Sequence, residues 1–317
     1  MSAYPNIDGP DPATDPSLAA LLSQLEARHH GAVCCALVYG SCLRSGDIYD
    51  GLLDLYLICD SYRAAYRRRL PALTNWLLPP NVFYAEQKPL DQASGTKTLR
   101  CKVTVISLRD FQRGCSRAWF ESYIWGRFSQ PTSILYTRDA RTRVQVEEAL
   151  TAAAHTLLRN AVPALPAEGN VTQLWAQALG LSYATELRTE SSDRAQELAL
   201  YSKEFYAALT RHHATQLGFP FSLYEHSGDL HYRSDITPVA RTAAKLAWAL
   251  RRTQGKMLSI MRLLKALFTF EGALDYIAWK LERHSDEPII IPDKVRRAPL
   301  IHIWAFSWGL YRRGIFK

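Results

Sequence analysis

Between Val33 and Cys59 the chain reads as a strand, a turn and a second strand. Val33 to Tyr39 is an apolar run that stops at Gly40-Ser41; a polar, glycine-bearing stretch follows, and Leu52 to Cys59 is a second apolar run carrying one acid, Asp54. Gly40 lets the backbone approach an anion closely. Ser41 offers its N–H and hydroxyl to phosphate oxygens, and a helix starting near it would aim its dipole at the same anion. Asp54, between Leu53 and Leu55, falls at a sheet position facing that turn, where a carboxylate can hold Mg²⁺ against phosphates. The same residues also suit an ordinary hairpin turn with Asp54 as an edge-strand acid, and this stretch alone leaves both readings open.

A Gly-Ser turn followed by an acidic strand resembles the polymerase-β-like nucleotidyltransferases. Those proteins usually carry Asp-x-Asp or Asp-x-Glu on the strand, and here Tyr56 stands at the second position.

With 317 residues, 48% hydrophobic and 21% charged, the chain has the length and balance to bury a substantial core, as two units or as one domain with a helical extension. Its net charge of +8 is unevenly placed. From Arg241 to Lys317 there are 15 Lys/Arg and 6 Asp/Glu, net +9, against 23 and 24 in the first 240 residues, net −1. The last quarter is therefore expected to meet an anionic surface. Cys34, Cys35, Cys42, Cys59, Cys101 and Cys115 show neither a CxxC pair nor zinc spacing, and read as reduced core residues in a cytosol-like compartment. No signal peptide is evident, and no apolar run approaches the roughly 18 residues of a membrane span. Acid residues and the lack of any basic residue before Arg28 argue against a mitochondrial presequence.

In chain order, residues 1–15 read as a Pro/Asp-rich tail, and Asp15-Pro16 starts a helix to about His29. Tyr62 to Leu78 reads as one basic amphipathic helix covering a face of the sheet, ended by Pro79-Pro80, with an extended segment from Asn81 to Tyr84. Leu99 to Ser107 alternates as a strand whose internal cation, Lys102, either points at the pocket of Asp54 or is a solvated strand lysine. A helix is expected from Leu108 past Trp119, then helices over Arg141–Asn160, Val171–Leu187, Arg194–Thr210 and, strongly basic, Pro238–Leu267, continued from Gly272 to Arg283. Leu300 to Leu310 lies between Arg296-Arg297 and Arg312-Arg313. It reads as a helix lying in a lipid interface, with Trp304 and Trp308 at headgroup depth, or as a helix docked on the protein's own core.

Several of these stretches together resemble the mitochondrial-type CTP:phosphatidate cytidylyltransferases, the CDP-diacylglycerol synthases of the translocator assembly and maintenance type, and their bacterial relatives. The matching pieces run collinearly over roughly residues 35–210. They are Tyr39-Gly40-Ser41 with Leu53-Asp54-Leu55; Asn81-Val82-Phe83-Tyr84; Lys102 with Val105-Ile106-Ser107; Trp119, Tyr123, Gly126-Arg127 and Gln130-Pro131; and Gly180-Leu181-Ser182-Tyr183 with Glu186 and Arg188. The family tolerates an apolar residue at the place of the second strand acid. The resemblance implies an α+β chain: a polymerase-β-like domain with a mixed sheet over residues 16–140, a helical domain over 141–240, and a basic amphipathic region over 241–317 in membrane contact. It implies CTP, phosphatidic acid and an anionic membrane surface as partners, no nucleic acid, and Mg²⁺ or another divalent cation as cofactor. Gly40 and Ser41 are then assigned to phosphate, Asp54 to the metal, Lys102 to triphosphate charge, Glu186 to the missing carboxylate and Arg188 to phosphate contact. The expected location is cytoplasmic, peripheral on the inner face of the cell membrane rather than in the mitochondrial matrix.

Two rivals stand beside it. A nucleotidyltransferase acting on a protein, RNA or small-molecule hydroxyl would want a second strand carboxylate as base. A non-catalytic basic adaptor would bind membrane without regard to nucleotide.

Overall fold

The computed structural model describes residues 4–90, 97–187, 192–269 and 291–297. It is an α+β fold with a mixed five-stranded sheet, a helical region and a small second sheet. The elements that precede the helical region are α1 (Pro16–Arg28), β1 (Val33–Tyr39), α2 (Ser41–Ser45), β2 (Leu53–Cys59), α3 (Tyr62–Ala65), α4 (Arg69–Leu77), β3 (Asn81–Gln87), β4 (Leu99–Ser107), α5 (Leu108–Cys115) and β5 (Thr132–Thr137). The sheet order is β3-β4-β2-β1-β5, with β2 and β4 parallel and every other pair antiparallel. All seven residues of β1 are buried. Covered on both faces, the central strands read as nearly continuous apolar runs.

The start of α1 follows its sequence signal. Asp15 accepts from the Leu18 amide at 3.0 Å, Pro16 opens the helix, and Leu18, Leu21 and Leu25 pack on one face of the sheet with Leu55, Leu57 and Val103. The other face, with Leu37, Tyr56 and Ile106, shares a continuous apolar cluster with α6 (Ala140–Ala161), α7 (Val171–Tyr183), α9 (Lys203–His213) and the first half of α10 (Pro238–Thr269). The six cysteines are free and buried.

Several expectations are corrected. Tyr62–Leu78 is two short helices, α3 and α4, and α4 does not cover the sheet. Its only buried residue is Asn75, whose amide donates to the Val105 carbonyl at 3.0 Å, while Leu70, Leu73, Trp76 and Leu77 point outward. The face is already filled by α1 and the α3 residues Tyr62 and Ala65. The helix from Leu108 stops at Cys115 instead of running past Trp119, and turns follow to residue 129. Gly114 permits this close return, since a Cβ there would meet Ile124 at 2.9 Å. Arg194–Thr210 is split at Ser202 into α8 (Ser192–Tyr201) and α9. The stretch around Gly228, read only as turn-rich, is a hairpin of β7 (Phe221–His226) and β8 (Asp229–Ser234), with Ser227 and Gly228 both at positive φ, and β6 (Glu168–Asn170) pairs with β8. The expected helix over 272–283 lies outside the described residues.

His213 gives the fold an acid sensitivity. It is buried on α9, with the His155 and His212 rings at 5.3 and 4.7 Å, and burial followed by those two neighbours pushes its pKa down to about 4. Between pH 6.5 and 4 the unfolded chain therefore takes up a proton that the folded chain refuses. Stability falls as pH drops through that window, with no further loss from this group below it. In thermal melts from pH 7.5 to 4.5, His213→Leu is expected to lose fewer degrees than wild type; equal losses would show that His213 does not carry the effect.

Candidate active site

The turn after β1 is held open by Gly40, which adopts φ +95. Opposite it, the antiparallel register of β1 and β2 pairs Tyr39 with Asp54, and a Cβ on Gly40 would stand 3.0 Å from Asp54 Oδ2. Glycine is thus required twice, for its backbone conformation and for the carboxylate beside it. Ser41 begins α2 directly afterwards and is exposed.

On the other side of β2, the parallel register with β4 pairs Asp54 with Lys102, so both project from the same face of the sheet. Lys102 Nζ lies 4.0 Å from Asp54 Oδ1, both side chains partly exposed. Lys102 therefore lies beside Asp54 on one face of the sheet.

Tyr56, two residues along the same face, is fully buried, with the Phe128 ring edge-on at 4.8 Å and the Tyr39 ring at 5.8 Å. The position is thus filled by an aromatic ring packed among aromatic rings.

The residues that complete the site come from the helical side. Arg127 is buried, donating from Nη1 to the Tyr39 hydroxyl at 2.9 Å and from Nη2 to both Glu186 oxygens at 3.1 and 3.2 Å. Its guanidinium lies 4.4 Å from the Tyr123 ring centre, and the Arg262 guanidinium lies 4.2 Å from the same ring. Arg262 in turn makes a bidentate pair with buried Glu121 at 2.6 and 2.8 Å. Burial alone would push the Tyr123 phenol up, yet the charges of Arg127, Lys102 and Arg262 together hold it below the usual tyrosine value.

Close packing keeps these groups in register. A Cβ on Gly126 would strike Ser182 Oγ at 1.8 Å, and one on Gly255 would meet the Thr185 carbonyl at 2.6 Å, so the Arg127 turn and α10 clamp the end of α7 where Glu186 sits. Ser122 Oγ and Thr185 Oγ1 add a buried hydrogen bond of 2.8 Å.

Of the residues singled out in the sequence, the structure brings Gly40, Ser41, Asp54 and Lys102 together, while Glu186, assigned there to the metal, pairs with Arg127; Arg127 was quoted without a role and Arg262 was not singled out. Arg188 lies outside the described residues, as do Trp304, Trp308, Arg312 and Arg313; Arg296 and Arg297 close α11 (Asp293–Arg297). No helix among the described residues is long and apolar enough to cross a membrane.

A divalent cation fits Asp54 on chemical grounds: a partly exposed carboxylate beside a Cβ-less turn matches the one or two carboxylates that Mg²⁺ takes from protein when a phosphate supplies the rest. Glu186 already gives both oxygens to Arg127. Among the described residues no cluster of three or more His, Cys, Asp or Glu gathers around Asp54.

Gly40→Ala is expected to preserve the fold, with a cost of about 1–3 kcal/mol from the forbidden φ, and to weaken Mg²⁺-nucleotide binding by tenfold or more by displacing Asp54. Isothermal titration checks this; unchanged affinity would remove the turn from the site.

No protein-family model matches the chain, and no curated protein matches it.

Proposed function

We propose that the chain is a polymerase-β-like nucleotidyltransferase acting as a CTP:phosphatidate cytidylyltransferase, which makes CDP-diacylglycerol and pyrophosphate for phospholipid synthesis. The observation that carries the transferase reading is that the Gly40 turn after β1, Asp54 on β2 and Lys102 on β4 lie side by side. Backbone N–H groups at Gly40-Ser41 would receive triphosphate oxygens. Asp54 would hold Mg²⁺, which when bound neutralises phosphate charge. Lys102 would take the charge that remains, and Arg188 is a further candidate for phosphate contact.

The acceptor is favoured by what the site lacks. A phosphate monoester is largely ionised at neutral pH, so its oxygen attacks the α-phosphorus of CTP with no strong base, the bond from that phosphorus to the bridging oxygen breaks, and pyrophosphate leaves with the electron pair. Tyr56 in place of a second strand acid is compatible with that chemistry and less so with a hydroxyl acceptor. The remaining difficulty is to bring two polyanions together, and the partly exposed Lys102 beside Asp54 is the cation placed to ease it, Arg127 and Arg262 being paired already with Glu186 and Glu121. A peripheral place on an anionic membrane, with the basic stretch over 241–317 in contact, would supply the lipid.

Incubation with labelled CTP, Mg²⁺ and phosphatidic acid in mixed micelles tests this. Label in the organic phase supports the reading. Nucleotide binding without lipid labelling would move the acceptor to a hydroxyl, and no nucleotide binding would leave a membrane adaptor.

A further inference from the structure

The outward face of α4 has no work in the fold described above. Leu70, Trp76 and Leu77 are 64–65% exposed and Leu73 is 50% exposed, on a helix that follows the exposed run Arg67-Arg68-Arg69. No acid occurs between Asp60 and Glu86. The outward face of α10 has the same character: Ile260, Met261, Leu263 and Leu264 are at least 47% exposed, Arg252 and Lys256 flank them, and the helix contains no Asp or Glu.

The end of α10 reaches the joint between α4 and β3. Lys265 donates to the carbonyls of Leu78 and Pro80, and Arg262 Nε donates to that of Pro79 at 3.2 Å, so the end of α10 is tied to the joint that follows α4. Residues 262 and 265 face that joint, which turns the intervening Leu263 and Leu264 away from it.

We propose that the outward faces of α4 and α10 form one docking platform for an anionic lipid bilayer, in which Leu70, Leu73, Trp76 and Leu77 enter the acyl boundary while Arg67, Arg68 and Arg69 meet headgroup phosphates. Apolar side chains bordered by cations, with no acid between, are what a helix lying in an anionic interface requires. A second copy related by a two-fold axis would set basic clusters against each other. The platform also reaches the site. Arg262, on the inner face of α10, packs on Tyr123, so a bilayer held by the outer face would bring lipid headgroups near Lys102; this last link alone rests on the proposed function.

The test is flotation of the full chain with phosphatidylcholine vesicles containing 30 mol% phosphatidylglycerol, about the anionic fraction at which such helices bind, and with phosphatidylcholine alone. Neither CTP nor phosphatidic acid is present, so failure of the transfer reaction would leave this readout untouched. Leu73→Glu/Trp76→Glu and, separately, Ile260→Glu/Leu264→Glu are each expected to weaken binding to anionic vesicles about tenfold or more with unchanged melting temperatures. Undiminished binding in either variant would overturn the platform. A lowered melting temperature would mean that the chain covers the face itself, and conversion of a dimer to a monomer by light scattering would make a second copy the occupant; either result also overturns it.

Discussion

Asp54→Asn is expected to lower cytidylyl transfer by about 10²–10³-fold, the loss typical of removing one preorganised electrostatic group at a reacting phosphate. The substitution keeps the shape that packs beside Gly40 and removes only the charge. The partly exposed pair with Lys102, 4.0 Å apart, contributes little to stability, so melting should shift by no more than about 1 kcal/mol equivalent. Titration of Mg²⁺ separates the roles. If Asp54 holds the cation, the variant needs more Mg²⁺ to reach half its maximal rate, whereas Lys102→Met raises KM for CTP without changing the Mg²⁺ dependence. A loss smaller than about tenfold would place the metal elsewhere.

Arg127→Leu is expected to be the most disruptive single change for fold and activity together. It leaves the Glu186 carboxylate without the guanidinium it pairs with and removes the donor to Tyr39, at a cost of about 3–5 kcal/mol in denaturant unfolding. Replacing both partners, in Arg127→Leu/Glu186→Leu, should recover a large part of that stability, because an apolar pair needs no desolvated charge. Transfer should stay low, because the link from Tyr39 to the end of α7 would still be missing. Arg127→Lys keeps a charge but cannot serve Tyr39 and Glu186 from one planar group, so it should fall between wild type and Arg127→Leu. If the double variant is as unstable as the single one, the stabilising role lies in the Tyr39 hydrogen bond and not in the ion pair.

These two sites differ in how much of them could be read from the chain. Gly40 and Asp54 lie on adjacent strands joined by a short connection, and the register of a hairpin-like pair is set locally by its apolar alternation. Lys102 was legible only as a choice, because its strand joins β2 in parallel after α3, α4 and β3, and nothing local specifies that register. Tyr56 stood out in the sequence only as a departure from Asp-x-Asp, and its packing against Phe128 and Tyr39 is a tertiary feature. Arg127 and Arg262 read as two cations among many, and their meeting at the Tyr123 ring depends on where the helical region returns to the sheet.

Amphipathic pattern shows the same division. Leu18, Leu21 and Leu25 in α1 and Leu70, Leu73 and Leu77 in α4 have comparable spacing, yet the first set is buried and the second exposed. By itself the sequence determined that each segment has an apolar face, where most of the strands lie, and that the chain turns at Gly40, because these depend on period and on local backbone sterics. Only the tertiary structure decided which apolar faces found partners and which distant charges converged, since burial and ion pairing are set by which elements reach a given face of the sheet first.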